Sequence, residues 1–184
     1  MTRLGVDREA LIGVAIAGGF GIGWAFWAAS GLSGGAATAV RIAGVVIGVI
    51  IVAAALFRRT TAGPNESAPS SGSESMFRSR GYRAWVAAEL IALVVGNVVL
   101  GATGHGAYVA AWTAFVVGVH FIGFGRLFAP VFSWVGVAFI AAAIAGATVG
   151  AGGGTRQAVE ASTGLIAAAS LFAAGVWGLL AAGA

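Results

Sequence analysis

The chain has no cysteine, no lysine, three prolines and few charges of either sign. Without cysteine there is no disulfide framework, no thiolate chemistry and no cysteine-based metal site. The prolines are Pro64, Pro69 and Pro130, and none lies inside an apolar run. The Gly/Pro-broken helix pair that marks many transporter sites is therefore not expected. The roughly ten-residue alternation of a membrane β-barrel is also missing. So are a P-loop, a CxxC pair, a Ser-His-Asp constellation and a DDxxD-like run. The stretch GFGIG at 19–23 is no phosphate loop, because no strand precedes it. It reads as a helix-packing surface.

What is present is apolar. Of 184 residues, 59% are hydrophobic and 9% are charged. One soluble core would be covered long before so much apolar surface was used. Six runs are long enough to cross a hydrocarbon layer of about 30 Å: 10–30, 36–57, 83–103, 107–128, 131–152 and 159–182. The expected fold is an all-α integral membrane protein, a single domain of six transmembrane helices in hairpins, over 1–184. The Gly-rich hinges SGLSGG, ATGHG and GAGGGT join neighbouring spans. The long connection 58–82 is polar, rich in Ser, Pro and Gly, and reads as a flexible cytoplasmic linker. Gly19/Gly23, Gly44/Gly48 and Gly146/Gly150 have the small-xxx-small spacing that lets helix backbones approach. They offer packing within the chain or between copies in a homo-oligomer.

All ten basic residues are arginine, and the net charge of +4 is not a nucleic-acid signature. With the N-terminus inside, Arg3, Arg8, Arg58, Arg59, Arg78, Arg80, Arg83 and Arg126 fall on the cytoplasmic side, against Arg41 and Arg156 outside. This asymmetry predicts a multi-pass protein of the cell (inner or plasma) membrane with both termini cytoplasmic. No cleavable signal peptide is expected, since the first apolar run is too long for one.

Ionisable groups inside the spans are informative, because each costs roughly 2.5–3.5 kcal/mol on insertion scales. Glu89 lies six residues after Arg83, and His120 six residues before Arg126. If both arginines mark one interface, both groups sit about 9 Å inside it, at a rise of about 1.5 Å per residue. Equal depth on adjacent antiparallel helices brings Glu89 and His120 within reach of each other. They are the catalytic candidates. Helical register places Trp85, Asn97, Trp112, Phe121, Phe124 and Phe128 nearby, with Trp134 from the fifth span, as substrate-binding candidates. The structural alternatives are an ion pair of Glu89 with Arg83 or Arg126, and interfacial anchoring by Trp85 and Arg126. Arg41 and Glu160 would form a structural pair at the outer end. His105 sits in a solvated hinge. No metal and no cofactor is expected: the two histidines fall on opposite sides of the membrane and cannot share a ligand.

A carboxyl group among apolar side chains can hold a proton and donate it to an alkene or epoxide. Aromatic faces stabilise the resulting cation, and a dry pocket protects it. The size, the six spans and an acid near the cytoplasmic side resemble the small bacterial membrane-bound terpene cyclases of indole-terpenoid pathways, mainly over residues 83–134; the stretches WVAAEL and GVHFIGFGRLF resemble a pattern of uncharacterised small bacterial membrane proteins. The resemblance is architectural. It implies a cation-forming cyclisation of a lipophilic prenylated substrate, without metal or diphosphate ionisation. Such families commonly offer two carboxyl groups; here His120 would be the second group. The alternatives are a small-molecule transport or substrate-binding membrane subunit, and an assembly factor using Gly-rich faces alone.

Overall fold

A computed structural model describes residues 8–61, 80–127 and 130–181. Among them there are six long helices and no strand: α1 (Arg8–Ser30), α2 (Gly34–Thr61), α3 (Arg80–Ala102), α4 (Val109–Leu127), α5 (Pro130–Ala151) and α6 (Arg156–Ala181). A single 3₁₀ turn, Gly106–Tyr108, precedes α4. Each of the six is long and apolar enough to cross a membrane. The helical ends reach further than the sequence indicates. Residues 58–61 and 80–82, expected in the linker, are helical. The rest of that segment, 62–79, lies outside the described residues.

The Gly-rich hinges end helices by the same device twice. At the end of α3, the His105 N–H donates to the Leu100 carbonyl at 2.8 Å and the Gly104 N–H to the Gly101 carbonyl at 3.3 Å. At the end of α5, the Gly154 N–H donates to Val149 at 2.9 Å and the Gly153 N–H to Gly150 at 3.1 Å. Both are Schellman closures, which satisfy the orphan carbonyls of a helix end and need a residue in the left-handed region. Gly104 (φ 77°) and Gly153 (φ 84°) occupy it. Thr155 then caps α6, its Oγ1 accepting the Ala158 N–H at 3.2 Å. Pro130 opens α5, where a missing N–H costs nothing.

The helices group into two compact units, 1–65 with 160–184, and 66–159. In the first, α1, α2 and α6 pack around Leu11, Val14, Ile51 and Ala55, with Phe172 and Leu179 against them. Gly18 and Gly48 let α1 and α2 meet backbone to backbone: a Cβ at Gly48 would stand 2.8 Å from the Gly18 carbonyl oxygen. The Arg58 guanidinium donates to the Leu179 carbonyl, a cation at the C-terminal end of α6. Of the spacings read from sequence, Gly44/Gly48 is used in this contact, while among the described residues nothing lies within 4 Å of a Cβ at Gly19 or Gly23. Buried Glu160 receives the Ser30 hydroxyl at 3.2 Å, and no ion pair joins it to Arg41 among the described residues. The expected Arg41–Glu160 pair is therefore not formed. Arg41 instead stands exposed on α2 beside Phe26, Ile42, Val45 and Val46.

In the second unit, α4 and α5 make the tight contact. A Cβ at Gly136 would stand 2.6 Å from the Gly118 carbonyl oxygen, so both positions need hydrogen side chains. Phe139, fully buried, closes the interface, its ring 5.9 Å from that of Phe121. Helix α3 lies against α4 and has no buried residue from Gly81 to Ala102.

Candidate active site

Two indole rings determine how α3 meets α4. On α3, Gly96 leaves a notch: a Cβ there would fall 1.9 Å from Trp112 Nε1. Trp112 of α4 fills it and donates its indole N–H to the Ala92 carbonyl at 3.1 Å. On α4, Gly123 leaves the matching notch, and Trp85 of α3 lies over it, with ring atoms 2.9–3.0 Å from where a Cβ would stand. Each helix thus presents a tryptophan to the other's glycine. The two contacts sit at opposite ends of the antiparallel pair and fix its register.

Between these ends is a cleft of about 190 Å³. Trp85, Ala88, Glu89 and Ala92 line it from α3, and Trp112, Phe115, Val116, Val119 and His120 from α4. Both sets repeat at three- and four-residue steps, one face of each helix. Ala88 and Ala92 are small, and that is where the space comes from.

The cleft's polar groups are Glu89 and His120. Glu89 Oε2 lies 3.2 Å from His120 Nδ1. This is ion-pair distance, but the atoms are off the line of a hydrogen bond. His120 is buried, whereas one-fifth of the Glu89 side chain is exposed. The pair can hold a single proton as carboxylic acid with imidazole or as carboxylate with imidazolium. Both arrangements are neutral overall, which avoids the cost of an uncompensated charge in an apolar wall.

Behind His120 is an aromatic group. Phe124 lies 4.0 Å from the imidazole, centroid to centroid, and stacks on Tyr82 at 5.5 Å. Phe121 meets the imidazole edge-on at 6.1 Å and stacks on Phe132 of α5 at 6.1 Å. These rings fix the imidazole from the side away from the cleft.

The structure therefore brings together part of the expected set. Glu89 and His120 meet, and Trp85 and Trp112 flank them. No ion pair of Glu89 with Arg83 or Arg126 forms among the described residues. Phe121 and Phe124 touch His120 but do not line the cleft, because they turn toward α5 and Tyr82. Asn97 is not in the lining either; its Oδ1 is buried without a hydrogen-bond partner among the described residues. Trp134 is 74% exposed and is not in the lining. Phe128 lies outside the described residues. Sequence reading missed Ala88, Ala92, Phe115, Val116 and Val119. Extending the helical register from Trp112 to His120 would have found the last three; the alanines carry no chemical signal. His105 is exposed in the α3–α4 turn, its Nδ1 3.1 Å from Thr103 Oγ1.

No group of three or more potential metal ligands occurs among the described residues. The chain matches no protein-family model, no curated protein and no solved structure.

Proposed function

We propose that this chain is a membrane-embedded cyclase or isomerase that acts on a lipophilic prenylated substrate by proton-initiated carbocation cyclisation. The observation that carries the reading is the Glu89–His120 contact in the wall of an otherwise apolar cleft closed at each end by an indole. An acid placed there meets a hydrocarbon substrate directly, with little water to compete for the cation.

The steps balance without an oxidant or reductant. Glu89 gives its proton to an alkene carbon, or to the oxygen of an epoxide, leaving a carboxylate and a carbocation. The π electrons of a second double bond attack the cation and close a ring. A proton leaves the carbon beside the new cation, to the Glu89 carboxylate or through His120, and restores the acid. The product is an isomer of the substrate. Trp85, one turn from Glu89, supplies π electrons to the cation, worth about 2 kcal/mol or more once desolvated.

The size of the cleft supports one end of a substrate rather than a whole one. A dry cavity of about 150 Å³ holds a benzene molecule. A cleft of about 190 Å³ takes a single ring or a short isoprenoid end. The chain spans the cell membrane with both termini cytoplasmic, a reading supported by the arginine asymmetry. The Glu89 end of α3 then faces the cytoplasm. The bilayer and the substrate are its partners, and glycines unused within the chain, such as Gly19 and Gly23, leave a face for a second copy.

The test is turnover of a prenylated alkene by the purified chain in lipid nanodiscs made up in D₂O. One carbon-bound deuterium per molecule of isomeric product is expected, and none of that product with Glu89→Gln. Wild-type rates from Glu89→Gln would end the reading.

A second reading, a substrate-binding or transport subunit, is favoured by α3, which has no buried residue from Gly81 to Ala102. Saturable binding of the same alkene without product would support it.

A further inference from the structure

We propose that Trp112, seated in the notch at Gly96, is the gauge that sets how long a lipophilic ligand the α3–α4 cleft accepts. The inference rests on the reading above only in taking this cleft as the ligand site; it needs no catalysis. Trp112 lies eight residues before His120, about two turns or 12 Å along α4 at 1.5 Å per residue. A ligand whose reactive end meets Glu89 and His120 therefore runs toward the Trp112 ring.

That ring is held in both position and orientation. The missing side chain of Gly96 leaves the space its Nε1 and Cε2 occupy. Its N–H donates to the carbonyl of Ala92, a residue of the cleft lining. An indole with its one donor used and its ring in a notch cannot swing aside without leaving a polar group unpaired, at a cost of about 1–3 kcal/mol. It is a fixed stop. Phe115, a turn further along α4 in the lining, is 42% exposed and without such a tie. Ala88 and Ala92 give the width; Trp112 ends the length.

Photoreactive analogues of dimethylallyl, geranyl and farnesyl alcohol, each with a diazirine at the hydroxyl end, test this. Light expels dinitrogen, and the carbene inserts into the Glu89 carboxyl O–H, which peptide mass spectrometry locates. In wild type the short analogues should label Glu89 and the farnesyl analogue roughly tenfold less, the scale of discrimination one hydrophobic wall provides. Trp112→Ala should raise farnesyl labelling relative to dimethylallyl labelling by roughly that factor. Trp112→Leu is the second variant if the first does not fold, with the same direction expected. Gly96→Ala, which displaces the ring, should also alter the length preference. In Glu89→Gln the label should move to neighbouring residues while the preference for short analogues persists, so loss of turnover leaves the gauge standing. An unchanged preference in folded Trp112→Ala or Trp112→Leu overturns the gauge. Absence of competable labelling by every analogue overturns the ligand site and the gauge together.

Discussion

Glu89 Oε2 lies 3.2 Å from His120 Nδ1 because two tryptophans and two glycines hold α3 and α4 in one register. The tight turn at Gly104 makes the helices antiparallel neighbours. Trp85 over Gly123 and Trp112 in Gly96 then lock them at either end. A slip by one residue would rotate Glu89 by about 100° around its helix, at 3.6 residues per turn, and out of the cleft. The Glu89–His120 contact therefore depends on packing that is itself apolar.

Removing the acid and removing its partner should differ. General acid–base groups typically contribute about 10²–10⁴-fold, so Glu89→Gln should lower turnover by at least that range while the protein elutes normally in detergent. His120→Ala should lower it less and change the shape of the pH–rate profile, since Glu89 would then exchange its proton without a neighbouring base. A pH–rate profile identical to wild type would remove His120 from the proton path.

Phe124 is expected to act through His120 rather than on the ligand, because it touches the imidazole and not the cleft. Phe124→Ala should therefore lower the rate with little change in product identity. Trp85→Ala should change the product distribution, because that ring lines the cleft. Product chromatography distinguishes the two, and the reverse pattern would mean that Phe124 faces the substrate.

Glycine contacts predict where alanine is tolerated. At Gly136 a Cβ would meet the Gly118 carbonyl oxygen at 2.6 Å. Gly136→Ala should destabilise the chain by about 1–3 kcal/mol, the usual cost of overpacking. At Gly101 and Gly19 nothing lies within 4 Å, so alanine there should be neutral or stabilise by up to about 1 kcal/mol through helix propensity. Thermal unfolding in one detergent compares the three. Equal melting temperatures for all three would contradict the α4–α5 contact.

A chain without cysteine is suited to single-cysteine topology mapping. His105→Cys, exposed in the α3–α4 turn, should react with an impermeant reagent added outside whole cells. Ser70→Cys should react only after the cells are opened. Gly104 itself is avoided, since its left-handed backbone would strain a cysteine. The opposite labelling pattern would place Glu89 toward the outer face.

Much of the architecture is determined by composition and period. Long apolar runs can be satisfied in lipid only as helices, and the Gly-rich segments between them end helices through left-handed closures such as that at Gly104. The meeting of Glu89 and His120 was also legible, because equal distances from Arg83 and Arg126 on antiparallel helices imply equal depth. Which side chains line the cleft was decided by tertiary structure alone. Depth along a helix follows from residue spacing, but the facing of a helix depends on its neighbours. Phe121 and Phe124 turn away because α5 and Tyr82 offer them aromatic partners, and Trp134 faces outward on α5. Trp112 enters the site's wall because Gly96 leaves room for it. In an almost uniformly apolar chain, steric fit rather than polarity selects the face, and steric fit is a property of pairs of helices that no single helix displays.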